Sequence, residues 1–205
     1  MIGSSYHGRQ DERDYLKKHS YGNTDTIDLW QALEDDSGKP VKEFMGAWTS
    51  QSGFPIVEVD SVNDHLKITQ SKFVTNPESP ARKDKELWPI PLLSEGLEMQ
   101  TVTKKTSNVP FTDGKAPVKI NVGQTGFYRV NYSHDMQAAQ LEALDKGQLA
   151  PVDRMGLLAD SFEATKAGYQ PVNEYLDLLS HFKNEDSLPV WEIMAGSLGA
   201  VRATL

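Results

Sequence analysis

The 205-residue sequence contains no cysteine. That excludes disulfide staples and every role for a thiolate, nucleophilic or metal-binding, but leaves the compartment open, because many exported proteins also lack disulfides. Long apolar runs are missing too. None approaches the roughly 20 residues a helix needs to cross a bilayer, so no transmembrane segment is expected. The stretch Met1 to His7 has no basic region followed by an apolar one and does not read as a signal peptide. Basic charge is scarce: 21 Lys and Arg stand against 29 Asp and Glu, a net charge of −8. An acidic chain repels phosphate backbones, so nucleic acid is not an expected partner. The local basic runs, Arg82-Lys83-Asp84-Lys85 and Lys104-Lys105, sit in polar stretches and read as solvated loops.

The usual catalytic constellations are also missing. The five histidines are His7, His19, His65, His134 and His181, and no two lie closer than 12 residues. No single helix turn can therefore offer two imidazoles to a metal. There is no His-Glu-x-x-His, no Gly-x-Ser-x-Gly elbow and no phosphate-cradling Gly-x-x-x-x-Gly-Lys-Ser/Thr. Gly123-Gln124-Thr125-Gly126 is the nearest approach to a glycine-rich loop, and between two expected strands it reads as a tight turn. Asp35-Asp36 reads as a solvated helix C-terminus rather than a cation site. Asp153 and Arg154 read as a capping and salt-bridge pair. Trp30, Trp48 and Trp88 fall on apolar stripes and read as core anchors rather than stacking platforms. No catalytic, cofactor-binding or metal-ligating residue is assigned, and taken alone this chemistry proposes no reaction.

What is present is an ordinary globular balance, 38% hydrophobic and 24% charged, in a chain long enough for two modest domains. The punctuation divides it into three zones, for a multidomain α+β fold. Residues 1–53 read as helices. Arg9 to His19 is a polar helix broken by Gly22. Thr24 or Thr26 caps the next, with Ile27, Trp30 and Leu33 on one face and Gly38 at its end. Pro40 opens a third, striped by Val41, Phe44, Met45 and Trp48 and ended by Gly53. Residues 54–132 change period from 3.6 to 2. Ile56 to Val59, Leu66 to Gln70, the proline-interrupted edge strand Leu87 to Leu92, the alternating Leu97, Met99, Thr101 and Thr103, the set Val118, Ile120 and Val122, and Phe127 to Tyr132 together predict a small antiparallel β-sandwich. Asn63-Asp64 supplies turn chemistry and Asn76 to Lys85 a loop. Residues 133–205 return to helices. Ser133 caps the first, which Gly147 stops. Three more begin at Pro151, Pro171 and Pro189. Val152, Met155, Leu158 and Phe162 share a face of one. Val172, Tyr175, Leu176, Leu179 and Phe182 share a face of the next, and Val190, Ile193, Met194, Leu198 and Val201 a face of the last. Helices stacked at this spacing predict an α-solenoid. The apolar pattern still runs at Leu205, which suggests truncation.

Several motifs together resemble one family. Tyr21-Gly22-Asn23-Thr24-Asp25-Thr26-Ile27-Asp28-Leu29-Trp30, Trp48-Thr49-Ser50-Gln51-Ser52-Gly53-Phe54-Pro55, Trp88-Pro89-Ile90-Pro91-Leu92, Asn121 to Tyr132 and Pro151 to Asp160 resemble, in order and spacing, the gluzincin zinc aminopeptidases of the puromycin-sensitive, aminopeptidase N and tricorn interacting factor type. The resemblance covers nearly the whole chain, and its most specific part is the tryptophan followed by Gln-x-Gly-Phe-Pro. It implies that residues 1–53 end the catalytic domain, 54–132 form the β-sandwich and 133–205 begin the C-terminal helical domain. The family's zinc-binding His-Glu-x-x-His, its Gly-x-Met-Glu-Asn strand and its oxyanion tyrosine match no position here, and Tyr6, Tyr15 and Tyr21 take no catalytic role. Met1-Ile2-Gly3 resembles the middle of a family helix. The chain is therefore expected to carry no cofactor while the intact family carries zinc. It is expected to be inactive alone, to act with an N-terminal catalytic chain or domain on peptides, to be cytoplasmic like the puromycin-sensitive branch, and to self-associate through residues 1–53. The alternative is a stand-alone interaction module of sandwich and helical repeats without enzymatic activity.

Overall fold

A computed structural model describes residues 13, 15–83, 85–94, 96–111 and 119–204. Met1-Ile2-Gly3, Tyr6, His7, the start of the helix expected from Arg9, Asp84, Val118 and Leu205 lie outside the described residues. The chain divides between Ser52 and Gly53 into two compact units.

The first unit holds a short helical run at 15–18 and the helices α1 (Thr26–Ser37) and α2 (Val41–Ser50). The cap of α1 is Asp25, not Thr24 or Thr26 as expected. Its carboxylate accepts the Thr26 N–H at 2.6 Å, and the Asp28 carboxylate accepts the Asp25 N–H at 3.0 Å. Two carboxylates at the positive end of a helix serve it better than one hydroxyl, and this reciprocal box leaves Thr26 inside the helix. Gly38 closes α1 in the left-handed region at φ 63°, donating its N–H to the Glu34 carbonyl. Helix α2 is released at Gln51 rather than at Gly53, because Gln51 already has extended backbone. Neither helix has a fully buried residue.

In the second unit, strands β1 (Pro55–Val62) and β2 (His65–Lys72) form a hairpin in which Val62 faces His65. Its two-residue turn is Asn63-Asp64, with Asn63 at φ 56°. Asparagine tolerates that conformation and the turn needs it. After a short helical turn at Pro80–Lys83 come β3 (Ile90–Leu92) and β4 (Gln100–Val102), which pair with each other in a separate two-stranded sheet. Next are β5 (Thr106–Pro110) and β6 (Arg129–Tyr132). The larger sheet has the order β5-β2-β1-β6.

That sheet is mixed rather than antiparallel, since β6 runs parallel to β1. A parallel neighbour cannot be reached by a hairpin, and here the chain travels from Phe111 to Tyr128 before entering beside β1 in the same direction. Two further expectations fail locally. Ile120 and Val122 do not lie in a strand: Asn121 sits at φ 60°, and Val122–Gln124 forms a 3-10 turn. The Ile120 N–H is taken by the Tyr132 hydroxyl at 2.9 Å and the Lys119 carbonyl by the Ser94 hydroxyl, so no ladder can form there. In β4 the inward residue is Val102, and Met99 is 66% exposed, opposite in phase to the expected set. Strand β5, with Val109 as its single buried residue, offers too little apolar alternation to be found in advance. Trp88, Ile90 and Leu92 alternate inward, and the buried Gln70 amide clasps the Trp88 backbone at both N–H and carbonyl, each at 2.9 Å. Tyr128 is buried and Phe127 exposed, but both precede β6, so the strand expected from Phe127 begins only at Arg129.

Four helices follow: α3 (His134–Asp145), α4 (Pro151–Lys166), α5 (Val172–Ser180) and α6 (Leu188–Thr204). Gly147 and Gly168 end the first two in the left-handed region. Ser133 stands at the N-cap of α3, but its hydroxyl caps nothing; its N–H instead continues the β6 ladder to the Val59 carbonyl at 2.9 Å. The helical core gathers Leu144, Leu157, Leu158, Tyr175, Leu178 and Phe182 among others. On α5 Tyr175 and Leu179 are buried as expected, but Leu178 takes the inward place of Leu176, which is 42% exposed, while on α6 Ser197 is buried and Leu198 is not. Tyr175 explains the second shift: its hydroxyl donates to Ser197 Oγ, which draws that polar side chain inward. The architecture is thus mixed α and β, with small sheets and packed helices.

Candidate functional site: a buried charge joint between sheet and helix

Helix α4 is buried on two sides. Leu157 and Leu158 join the helical core. A second stripe, Asp153, Gly156 and Asp160, follows the i, i+3, i+7 spacing of one helix face. It meets β6 and the 119–126 segment. Asp153 Oδ1 accepts the Gly123 N–H at 2.8 Å. Asp160 Oδ2 accepts the Val130 N–H and Oδ1 accepts Arg129 Nη1, both at 3.1 Å. The Val130 N–H lies on the outer edge of the sheet, where a further strand would otherwise bond. A helix carboxylate thus closes that edge.

The 119–126 segment reaches α4 through a distorted backbone. Asn121, Gly123 and Gln124 all have positive φ. The Asn121 side chain holds the turn shut, accepting the Gly126 N–H at 2.8 Å and donating to the Gly126 carbonyl at 3.0 Å. Gly126 is required by space: a Cβ there would stand 2.3 Å from the Tyr128 ring. On the helix side Gly156 leaves room for the Gln124 side chain, whose amide a Cβ there would meet at 1.9 Å and displace.

Lys119 completes the joint. It is 5% exposed and donates from Nζ to the Ile120 carbonyl at 2.6 Å. Burial pushes its ammonium below the ordinary lysine range, while Asp160 and Asp153 hold it up. Burial pushes the Asp160 carboxyl up to about 6, opposed by the Val130 N–H, Arg129 and Lys119. Tyr128 and Tyr132 are raised for the same reason, loss of water. Two cations and two carboxylates therefore balance within one water-poor region, as buried charges must.

Rings and guanidinium groups extend the joint along α4. Arg129 lies 5.2 Å from the Phe73 ring and 5.8 Å from that of Phe54; Phe73 stacks on Tyr169, and Arg82 lies 4.1 Å from the Tyr169 ring. Arg82 also donates to the Ala167 carbonyl at the C-terminus of α4. Helix α4 is thus pinned to the sheet unit near its start, middle and end. A groove of about 280 Å³ beside the joint is lined by Phe54, Phe127, Met155, Ala159 and Ile193.

The hydrogen bonds of the joint link these groups to one another or to the backbone. Of its charged members only Asp153 draws attention in the sequence, as a partner of Arg154. The two do not pair: Arg154 instead grips Glu185 through two nitrogens, at 2.6 and 2.7 Å. The i, i+3, i+7 spacing of Asp153, Gly156 and Asp160 on one helix face was the available signal. Asp35 accepts from Gln31 in an exposed helix, as expected of a solvated end. Trp88 is fully buried, whereas Trp30 and Trp48 are half-buried. His65, His134 and His181 each lie beside a carboxylate, on Asp64, Glu174 and Asp145 respectively. Among the described residues no cluster of three or more metal-ligating side chains occurs, and no helix is long and apolar enough to cross a membrane.

Comparison with known proteins agrees with the motifs. Residues 117–205 match the family described as ERAP1-like C-terminal domain. The chain is 36% identical over 199 residues to Aminopeptidase 2 of Candida albicans, covering 94% of this chain and 21% of that protein. It is 35% identical over 193 residues to the alanine/arginine aminopeptidase of Saccharomyces cerevisiae, covering 93% of this chain and 22% of that one. It is 35% identical over 197 residues to the tricorn protease-interacting factor F2 of Thermoplasma volcanium, covering 92% and 24%. The chain belongs to the M1 aminopeptidase family and spans about a fifth of the length of these relatives. The described residues do not fit the zinc that the family implies, because they bring no set of ligands together.

Proposed function

We propose that this chain is a non-catalytic portion of a zinc-dependent aminopeptidase that removes N-terminal residues from peptides, and that it supports and walls the peptide chamber. The observation that carries this reading is continuous similarity: 94% of the chain aligns with one aminopeptidase at 36% identity, while the described residues bring together no cluster of metal-ligating side chains. In this reading residues 1–53 complete the catalytic domain, 54–132 are its β-sandwich neighbour, and 133–205 begin a solenoid-like helical domain. The zinc, which polarises a scissile carbonyl and activates water in such enzymes, is held by an N-terminal catalytic chain or domain. The cytoplasm is the proposed compartment.

The part played by residues 119–169 is to hold the helices rigidly on the sheet, since a chamber wall must keep its shape while peptides enter. The test pairs the chain with a separately produced catalytic portion carrying His-Glu-x-x-His. Release of an N-terminal amino acid from a fluorogenic aminoacyl substrate is expected only when both are present. A chelator-washed sample of the chain alone is expected to hold no stoichiometric zinc. One tightly bound zinc per chain, or activity without the second portion, would overturn the reading.

A further inference from the structure

The ladder between β1 and β6 is short, four residue pairs from Ile56↔Arg129 to Val59↔Tyr132. Parallel pairing is also the weaker kind per residue. The Ser133 N–H extends the ladder by one bond to the Val59 carbonyl, and Arg129 lies against the Phe54 and Phe73 rings, but the remaining polar contacts of β6 leave the sheet. Val130 and Arg129 bond Asp160 of α4, and the Tyr132 hydroxyl serves the Ile120 N–H. Just upstream, Gly123 bonds Asp153 of the same helix. Separating residues 119–132 from α4 would part the buried Asp153 and Asp160 carboxylates from the backbone donors and the Arg129 and Lys119 cations that compensate them. Separating β6 from β1 breaks the short ladder and the Arg129 contacts with the Phe54 and Phe73 rings, but it separates no carboxylate from its cation. An independent observation points the same way. The family similarity that covers the helices begins at residue 117, after β5 and before β6, so it takes in β6 and excludes its sheet neighbours.

We infer that the sheet is completed by strand donation: the free edge of β1 is an acceptor, and its partner strand, β6, belongs to the folding unit of the helices. The seam of lowest stability in the second unit then runs between β1 and β6. It does not run between β6 and α3, where residue 133 would place a boundary by sequence. Local opening would uncover the β1 edge and the Pro55–Val59 backbone while leaving the β1-β2-β5 ladders and the helices each intact. The joint of Lys119, Asp153 and Asp160 is what keeps the donated strand with its helix.

Native-state hydrogen exchange on the intact 205-residue chain, followed at increasing sub-denaturing urea, reads this directly. The amides of β6 are expected to merge with those of α4 into one opening unit. The amides of β2 and β5 should merge into another, with protection differing by at least about tenfold. In Asp160→Asn, protection should fall at least tenfold, by the same factor, in β6 and α4 and stay unchanged in β2 and β5. Exchange of β6 together with β2 and β5, apart from α4, would overturn the inference. So would a single opening shared by all of them. The wild-type measurement decides the matter even if the variant fails to fold.

Discussion

At the scale of the residue, Asp160 is the clearest case of a group whose environment sets its chemistry. Its folded carboxyl lies at about 6 against an ordinary 3.8, with burial as the first cause. A carboxyl raised by folding binds its proton more tightly in the native state. Its contribution to stability is therefore full below about pH 3.8 and is lost as the pH rises through about 6. A shift of roughly two units corresponds to at most about 3 kcal/mol. Asp160→Asn removes the titration while keeping the shape. It leaves Arg129 and Lys119 uncompensated, and this adds an offset with little pH dependence in that range. The expected outcome is that wild type loses stability relative to Asp160→Asn between pH 4.5 and pH 7, by about 2 kcal/mol in urea unfolding. A difference that is constant across that interval would show that Asp160 stays ionised throughout. The sequence offered the spacing of Asp153, Gly156 and Asp160 but not the partners that set this behaviour. An Asp on the sheet-facing side of a helix looks like any polar interruption until the Val130 N–H and Arg129 are seen to meet it.

At the scale of the element, what was legible followed period and punctuation. Helices α1 to α6 and strands β1, β2, β3 and β6 stand where apolar spacing and Gly, Pro or Asn-Asp breaks put them. What was illegible depended on long-range partners. Strand β5 has almost no apolar alternation and exists because β2 offers it a ladder. The Ile120 and Val122 alternation was a true pattern with a false meaning, because Tyr132, Ser94 and Asp153 claim the local backbone first. The connection between α5 and α6 gives the same lesson and a second prediction. Glu185 has a side chain only 1% exposed and is matched by Arg154 of α4, which also donates to the Leu149 carbonyl at 2.8 Å. Arg154 in turn holds the Glu185 carboxyl below the usual range. Removing one partner strands a buried charge, so Arg154→Ala should cost about 3–5 kcal/mol in urea unfolding. The double replacement Arg154→Met with Glu185→Leu should recover most of that loss, since two apolar groups leave no charge uncompensated. A double variant as unstable as the single one would mean that the Leu149 contact and packing, rather than the ion pair, hold this connection.

At the scale of the whole molecule, the two units differ in how they are stabilised. The second has a buried core in both its sheet and its helices. The first offers α1 and α2 without one fully buried residue between them, although Trp30, Leu33, Phe44 and Trp48 lie along their stripes. Ile27 is 63% exposed and Leu16 65%. A helix is marginal in water by itself and takes most of its stability from packing an apolar face. Two helices that bury nothing completely are therefore expected to seek cover, and interfaces between domains of one chain commonly reach roughly 600 to 1,500 Å². In the proposed enzyme the catalytic portion provides that cover. Without it, the expected outcome is reversible self-association through residues 1–53, with the sheet uninvolved. Sedimentation across a concentration series should show the weight-average mass rising above that of the 22.8 kDa chain. Trp48→Glu should return it toward the monomer, because it places a charge in the apolar stripe, whereas Glu58→Lys on the exposed face of β1 should not. A strictly monomeric chain that binds no apolar dye would show that these helices are sealed without a partner.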